Sequence, residues 1–481
     1  FWEIPIRIKM KDSFNNSLFK YSDRKDLIAI KNSEFEISYY SLFKSSADFS
    51  EFFVSKQIKE NDYVAILSDD QILFIKSVIS LWLIGAVPVP INTKLLNSEV
   101  ELIINDHQIK FLITDKTFFS FDNLSDTEII KKNDIEINPG LITDLKIPEE
   151  KNEAVVIFTS GSSGKPRGVV HTFSSLINNI KNGNVLLRQE EKDRWLASLP
   201  FYHIGGFQII CRSLYFGSTL IIPKSIQTND IIDSIALFNP THLSLVSTQL
   251  ERLLNISISP GKFLKVALIG GGFIDDDLMI QADKSGWNPF RVYGSSETGS
   301  MITAISAKEI KTRPLSSGKP FPNVELIISE ESEILIKSSS LFKNYLNDSN
   351  ETNNKFIDKY YKSGDIGFID NEGYLFVEAR RNDLIITGGE NVNPIEVERV
   401  IQKINGIKEV CVFPQQNKIW GHIVACAVVT DDESVNEKMI KDFLKLKIAG
   451  YKIPKKFFFT TELPKTSLGK FEREKIKKIF K

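Results

Sequence analysis

Hydroxyls, glycines and two cations crowd ten consecutive residues of this chain, Thr159-Ser160-Gly161-Ser162-Ser163-Gly164-Lys165-Pro166-Arg167-Gly168. The apolar run Ala154-Val155-Val156-Ile157-Phe158 leads into them and reads as a buried strand. Such a loop can wrap phosphates: glycines let backbone N–H groups approach an anion, hydroxyls donate further hydrogen bonds, and Lys165 and Arg167 add positive charge. The spacing does not fit GxxxxGK[ST], because only two residues separate Gly161 from Gly164 and Pro166 follows the lysine. A P-loop nucleotidase is therefore disfavoured. A Ser/Gly surface linker is the plain alternative, but linkers do not usually follow an apolar strand directly.

A second cluster, Arg291-Val292-Tyr293-Gly294-Ser295-Ser296-Glu297-Thr298-Gly299, brings an aromatic face, a flexible glycine, hydroxyls and one carboxylate together. Tyr293 can stack on a base, Ser296 can donate to a phosphate, and Glu297 is a hard oxygen ligand suited to Mg²⁺. Taken alone, a tight turn ending a strand explains the same residues. Just upstream, Ala267-Leu268-Ile269 runs into Gly270-Gly271-Gly272, which in isolation is a turn after a strand. Tyr361-Lys362-Ser363-Gly364-Asp365 presents an acid after a glycine turn. Within the apolar run 207–216, Arg212 is the only charge. It either snorkels outward from a helix or offers a bidentate cation to a buried carboxylate.

The elements that must hold these residues alternate in type. Strand-like runs at 62–67, 87–91 and 111–114 are separated by helical patterns at 71–84 and 98–106, the rhythm of parallel α/β units. The alternation recurs at 194–199, 207–215, 218–222, 229–238 and 242–246. From 318 to 376 helical periodicity fades into short runs between turn residues, predicting a small antiparallel β unit. Helices at 394–404 and 436–446, with strands at 410–413 and 422–429, suffice for a separate small domain. The most apolar helix, 72–84, is interrupted by Lys76 and Ser77 and is too short for the ~20 residues of a bilayer span, so no membrane span is expected.

The chain has 481 residues, 42% of them hydrophobic, enough for several domain-sized cores. Its 60 Lys+Arg balance 61 Asp+Glu, which speaks against nucleic acid as the main partner. Cys211, Cys411 and Cys426 are far apart and form no CxxC pair, so a reducing cytoplasm is the simplest compartment. Nothing in residues 1–14 reads as a basic segment followed by an apolar core, and no export signal is expected.

From about Tyr39 to the C-terminus, these motifs and their order resemble the adenylate-forming enzymes: acyl- and aryl-CoA synthetases, peptide-synthetase adenylation domains and firefly-type luciferases. The resemblance implies ATP, Mg²⁺ and coenzyme A as co-substrates and cofactor, and a small-molecule carboxylic acid as substrate. It implies an α/β fold in which a large N-terminal domain (1–381) of two doubly wound α/β subdomains plus a small β unit precedes a smaller, mobile α+β C-terminal domain (383–481). Asn382 would be the hinge. Thr159 to Lys165 would bind ATP, Gly270, Gly271 and Gly272 would border adenine and the acyl pocket, and Tyr293, Gly294, Ser295 and Ser296 would complete the nucleotide site. Asp365 and Arg380 would hold the ribose. Leu463-Pro464-Lys465-Thr466-Ser467-Leu468-Gly469-Lys470-Phe471-Glu472-Arg473 resembles the family's PxTxxGKxxR, and Lys470 would then be the catalytic lysine. Gly388-Gly389-Glu390 would face the cleft for thioester formation. Two departures touch the hinge: Ala379 replaces the usual Gly before the Arg, and Asn382 stands where Asp or Lys is common.

The segments 199–206 and 244–250 resemble acyl-pocket segments, with His203 beside the acyl carboxylate in a positioning role and Ser247 and Thr248 lining the pocket. They look more like the o-succinylbenzoate:CoA ligase branch of menaquinone synthesis than long-chain fatty acyl synthetases, and Arg212 would then meet a second substrate carboxylate. Other aryl- or medium-chain acyl-CoA ligases, an enzyme charging a carrier protein, and a non-catalytic nucleotide sensor remain the alternatives. A homodimer is compatible with all of them.

Overall fold

The computed structural model describes residues 16–480 apart from 117–122, 136–144, 146, 161–165, 272–273, 381–384, 393, 419, 465–470 and 472. Asp70 caps the helix Gln71–Leu83, accepting from the Ile72 and Leu73 backbone N–H groups. That helix is apolar around most of its circumference and is buried accordingly, with Trp82 donating to the Ala154 carbonyl at 2.7 Å. Among the described residues no helix is long and apolar enough to cross a membrane.

Two parallel sheets realise the alternating pattern. One has four strands in the order Val87–Pro90, Tyr63–Leu67, Phe111–Thr114, Glu128–Lys131. The other runs Ile28–Lys31, Thr219–Ile221, Arg194–Leu196, His242–Val246, Val266–Gly270, Pro289–Ser295, all parallel. The antiparallel strands expected after 318 are present but do not stand alone. They extend this second sheet through Ser300–Ser306 and Ser316–Pro320 out to Val324–Ile328. Backbone donors and acceptors at an open sheet edge are best satisfied by another strand, which is why the β unit is continuous with the sheet.

The hydroxyl- and glycine-rich segment differs from a simple loop. Glu153–Ser160 and Pro166–Thr172 form a hairpin, with Thr159 opposite Arg167 and Ser160 opposite Pro166, so only 161–165 connect the two strands. Gly168 therefore serves packing: a Cβ there would come 2.8 Å from Val156 Cγ1 and 3.0 Å from Leu346 Cβ. The helix Phe173–Leu187 that follows, capped by Thr172, escaped the periodicity reading because Asn and Ser interrupt its apolar face.

Strands from Ile385 onward build a separate five-stranded sheet, Glu390–Val392, Ile385–Thr387, Gly421–Thr430 and Ile407–Asn417, with Lys456–Thr460 beside Gly421–Thr430. Its apolar clusters contain only residues from 385 on, and the buried clusters of the other sheets contain only residues before it. Each set of sheets thus has its own core. The strand expected at 410–413 is much longer, because its polar outer positions still pair along Gly421–Thr430. All three cysteines are buried and none is in a disulfide.

Candidate active site

Three neighbouring parallel strands end at Val246, Gly270 and Ser295, and the cleft opens beyond their carboxyl ends, where α/β sheets leave room for ligands. Its volume is about 2080 Å³, well above the roughly 300–1,000 Å³ of a single small-molecule site. It can hold more than one substrate at once. Thr159, His203, Arg212, Ser247, Thr248, Gly270, Gly271, Tyr293 to Glu297, Asp365 and Gly388 to Glu390 all line it. Gly161 to Lys165, Gly272, Asn382 and Lys470 lie outside the described residues, as do the side chains of Ser160 and Arg380.

On the nucleotide-like side, Tyr293 donates its hydroxyl to Asp365 Oδ2 at 2.7 Å. Strand pairing sets Asp365 opposite Arg380, so the two residues named for ribose contact share one register position. Glu297 accepts from the Tyr345 hydroxyl at 2.9 Å. Among the described residues no group of three His, Cys, Asp or Glu could hold a metal by itself. A lone carboxylate suits Mg²⁺, which keeps waters and is bound by one or two carboxylates together with substrate phosphates. The turn is braced from below: buried His171 contacts the Ser296 carbonyl through Nε2 at 2.7 Å and the Ser175 hydroxyl through Nδ1 at 2.9 Å. Burial lowers the His171 imidazole to about 4, outweighing the Ser296 hydrogen bond and the Glu297 charge.

Across the cleft, His203 is the N-cap residue of the helix Ile204–Phe216. Its Nε2 is 3.3 Å from Glu390 Oε2, and Lys94 Nζ is 2.9 Å from Glu390 Oε1. Burial pushes the Glu390 carboxyl up, but His203 and Lys94 overcome this and hold it at about 2. Gly388 and Gly389, at φ 58° and 86°, deliver Glu390 to this place. A Cβ on Gly389 would lie 3.0 Å from Val246 Cγ1, and one on Gly388 2.7 Å from the Trp420 ring, so side chains would push the loop out of the cleft.

Arg212, two turns along the same helix, does not snorkel: it is 1% exposed. Its Nη2 donates to Asn179 Oδ1 at 3.3 Å and its guanidinium lies 5.3 Å from the Trp195 ring centroid. Its Nε has no hydrogen-bond partner, and among the described residues no carboxylate pairs with it. Burial lowers it to about 10. Arg291 shows the contrast: also buried, it is paired with Asp276 and donates to the Ile274 and Ser316 carbonyls. A buried guanidinium that faces a cleft without a carboxylate is set up to receive one from a ligand.

The sequence reading missed Lys94, His171, Tyr345 and Trp420. Lys94 had a signal, since it follows the carboxyl end of a parallel strand, Val87–Pro90. The others act through contacts between segments far apart in the chain, which spacing does not reveal.

The AMP-binding enzyme model matches residues 19–346, and the AMP-binding enzyme C-terminal domain model matches residues 396–470. A 2-succinylbenzoate–CoA ligase from Listeria monocytogenes is 33% identical over 87% of this chain and 89% of its own. A double mutant of the o-succinylbenzoate CoA synthetase from Bacillus subtilis, bound with its product analogue, superposes with a TM-score of 0.92 at 29% identity over 96% of this chain and 98% of that one. The Bacillus subtilis enzyme in complex with its acyl-adenylate intermediate has the same identity and coverage but a TM-score of 0.75.

Proposed function

The chain belongs to the AMP-binding enzyme family, and from that premise we propose that it is an ATP-dependent, AMP-forming acid:CoA ligase that converts 2-succinylbenzoate to 2-succinylbenzoyl-CoA, a step of menaquinone synthesis. The observation that carries the choice of acid is Arg212. A second substrate carboxylate, distal to the one activated, would supply the partner that this buried guanidinium lacks.

The reaction has two halves. The substrate carboxylate attacks the α-phosphorus of ATP and pyrophosphate leaves; the CoA thiolate then attacks the acyl carbon of the mixed anhydride and AMP leaves. In this reading Thr159 to Lys165 wrap the phosphates, Gly270 to Gly272 border adenine, Tyr293 stacks on the base, Gly294 and Ser295 shape the turn, and Ser296 donates to the α-phosphate. Asp365 accepts from both ribose hydroxyls with Arg380 beside it. Glu297 would hold Mg²⁺, which when bound neutralises phosphate charge. Lys470 bridges the attacking carboxylate and the α-phosphate, offsetting charge that builds in the transition state. His203 orients the acyl carboxylate, with Ser247 and Thr248 along the acyl pocket.

We assign the large domain to 1–381 and the mobile C-terminal domain to 383–481, with Asn382 as the hinge about which Lys470 and the Gly388-Gly389-Glu390 face take turns in one cleft. Support comes from the separate cores and from the contact of Glu390 with His203 and Lys94. The same reading puts the enzyme in the cytoplasm and is compatible with a homodimer.

ATP–pyrophosphate exchange over a panel of carboxylic acids, followed by CoA against carrier-protein acceptors, tests the assignment. 2-Succinylbenzoate should drive exchange best and CoA should accept the acyl group. A simple benzoate or hexanoate that performs equally well overturns the choice of acid, and exchange with no acid overturns the activity.

A further inference from the structure

The stretch just after strand Val87–Pro90 supplies polar contacts to the C-terminal unit along its length. Asn92 Nδ2 lies 3.4 Å from the Tyr451 hydroxyl, Lys94 Nζ 2.9 Å from Glu390 Oε1, and Glu99 Oε1 2.8 Å from Lys452 Nζ. The last contact differs from the others in its surroundings. The Lys452 side chain is 7% exposed and sits between Glu99 (13%) and Glu396 (20%), the latter at 2.7 Å. Glu396 belongs to the same unit as Lys452, whereas Glu99 belongs to the large one. Burial raises the Glu396 carboxyl, Lys452 opposes this, and the Glu99 charge adds to it. Two carboxylates therefore share one ammonium in a largely dry place.

Glu99 has a second anchor besides Lys452. It lies in the first turn of the helix Asn97–Asp106, and its Oε2 accepts from the Leu96 backbone N–H at 2.9 Å, leaving Oε1 aimed outward. On the other side, the strand Glu390–Val392 packs against the turn Gly450–Lys452, so Lys452 and the face that enters the cleft travel together. Any rigid movement of this unit that takes Glu390 from His203 would also take Lys452 from Glu99.

We propose that Glu99 and Lys452 are positioning residues for the second half-reaction: their buried ion pair latches the C-terminal unit with Gly388-Gly389-Glu390 in the cleft, and is absent from the arrangement that forms the adenylate. This rests on the two-arrangement reading above. Lys452 keeps Glu396 as partner in both arrangements, so only the Glu99 contact distinguishes them. Removing it weakens one arrangement and leaves the other alone.

The test uses full-length Glu99→Gln, Lys452→Met, Lys452→Arg and the double Glu99→Gln/Lys452→Met, assayed in each half-reaction. Glu99→Gln keeps an acceptor for the Leu96 N–H and should fold like the parent. ATP–pyrophosphate exchange with 2-succinylbenzoate should stay within about twofold of the parent at nearly constant KM for ATP, while kcat for thioester formation from supplied acyl adenylate falls roughly tenfold to a hundredfold. The double variant should be little worse than Lys452→Met, and Lys452→Arg should keep most of the activity. An unchanged thioester step, or equal loss in both halves by Glu99→Gln, overturns the latch. Lys470→Ala run in parallel separates the two readings. If it spares thioester formation while Glu99→Gln does nothing, the latch alone fails; if it removes both halves equally, the alternation fails with it.

Discussion

Replacing Arg212 by Met tests whether the buried guanidinium serves the substrate or the fold. In the chain itself this charge is 1% exposed, has one long hydrogen bond to Asn179 and no carboxylate among the described residues. A charge in that state costs stability, so an apolar side chain of similar length should leave the ligand-free melting temperature unchanged or raise it. With 2-succinylbenzoate bound, the guanidinium gains charge-assisted hydrogen bonds worth about 1.5–3 kcal/mol. Losing them should raise KM for that acid roughly 10- to 100-fold. KM for ATP should barely move. A monocarboxylate analogue without the distal group should be a poor substrate of the parent and lose little further in the variant, because the missing partner is shared. Steady-state kinetics with both acids and a thermal melt of the free protein provide the readouts. A variant that melts far below the parent, or that loses activity equally with every acid, would show that Arg212 is structural and remove the main support for a dicarboxylate substrate.

Two further perturbations test the proposed adenylation chemistry and the support of the Ser296 turn. Lys470→Ala should reduce adenylation by orders of magnitude, measured as pyrophosphate exchange, while thioester formation from supplied acyl adenylate stays largely intact, since in the proposed mechanism its charge is needed only in the first half. His171→Gln should change the pH dependence of stability. Burial keeps His171 neutral down to about 4, whereas the unfolded chain takes up the proton near 6.5, so its contribution is fully present above 6.5 and is lost as pH falls towards 4. The gap corresponds to about 3 kcal/mol over that window. Urea unfolding at pH 4.5–7, near the ~6.5 reference value, should show a flatter profile in the variant, and an unaltered slope would assign the acid sensitivity to other groups.

Legibility in the sequence followed the range of the interactions involved. Parallel units such as 62–67 with 71–84 were readable because an apolar strand and an apolar helix each repeat with their own period, and the structure places them at Tyr63–Leu67 and Gln71–Leu83. The turn from Tyr293 to Glu297 was readable because its chemistry is contiguous. His171 was not: a single histidine in a valine-rich strand looks like core filler until Ser296, far along the chain, appears beside its Nε2. The hairpin return Pro166–Thr172 was concealed by Pro166 and Gly168, residues that discourage a strand assignment yet here sit at a strand's first position and at a close packing contact. Arg212 was noticed, but the choice between an outward and an inward guanidinium depends on which face of the helix Ile204–Phe216 meets the core, and an almost wholly apolar helix does not reveal that.

The least legible property is how the C-terminal unit sits against the rest. The two Bacillus subtilis structures match this chain at the same 29% identity and over the same 96% of it, yet score 0.92 and 0.75. Sequence divergence cannot produce that difference. Residues from 385 on make up about a fifth of the chain, and a fifth that superposes in one case and not in the other would lower the score by about the amount observed. The higher score belongs to the product-analogue form, which argues that this chain is in the corresponding arrangement, with Glu390 held between His203 and Lys94. In the proposed alternation, both arrangements must be within a few kcal/mol for one chain to visit each during a turnover. A balance that fine would depend on a few contacts such as the proposed latch of Glu99 with Lys452, whose residues read in sequence as ordinary surface charges. They become informative only once folding brings a position near 99 against one near 452.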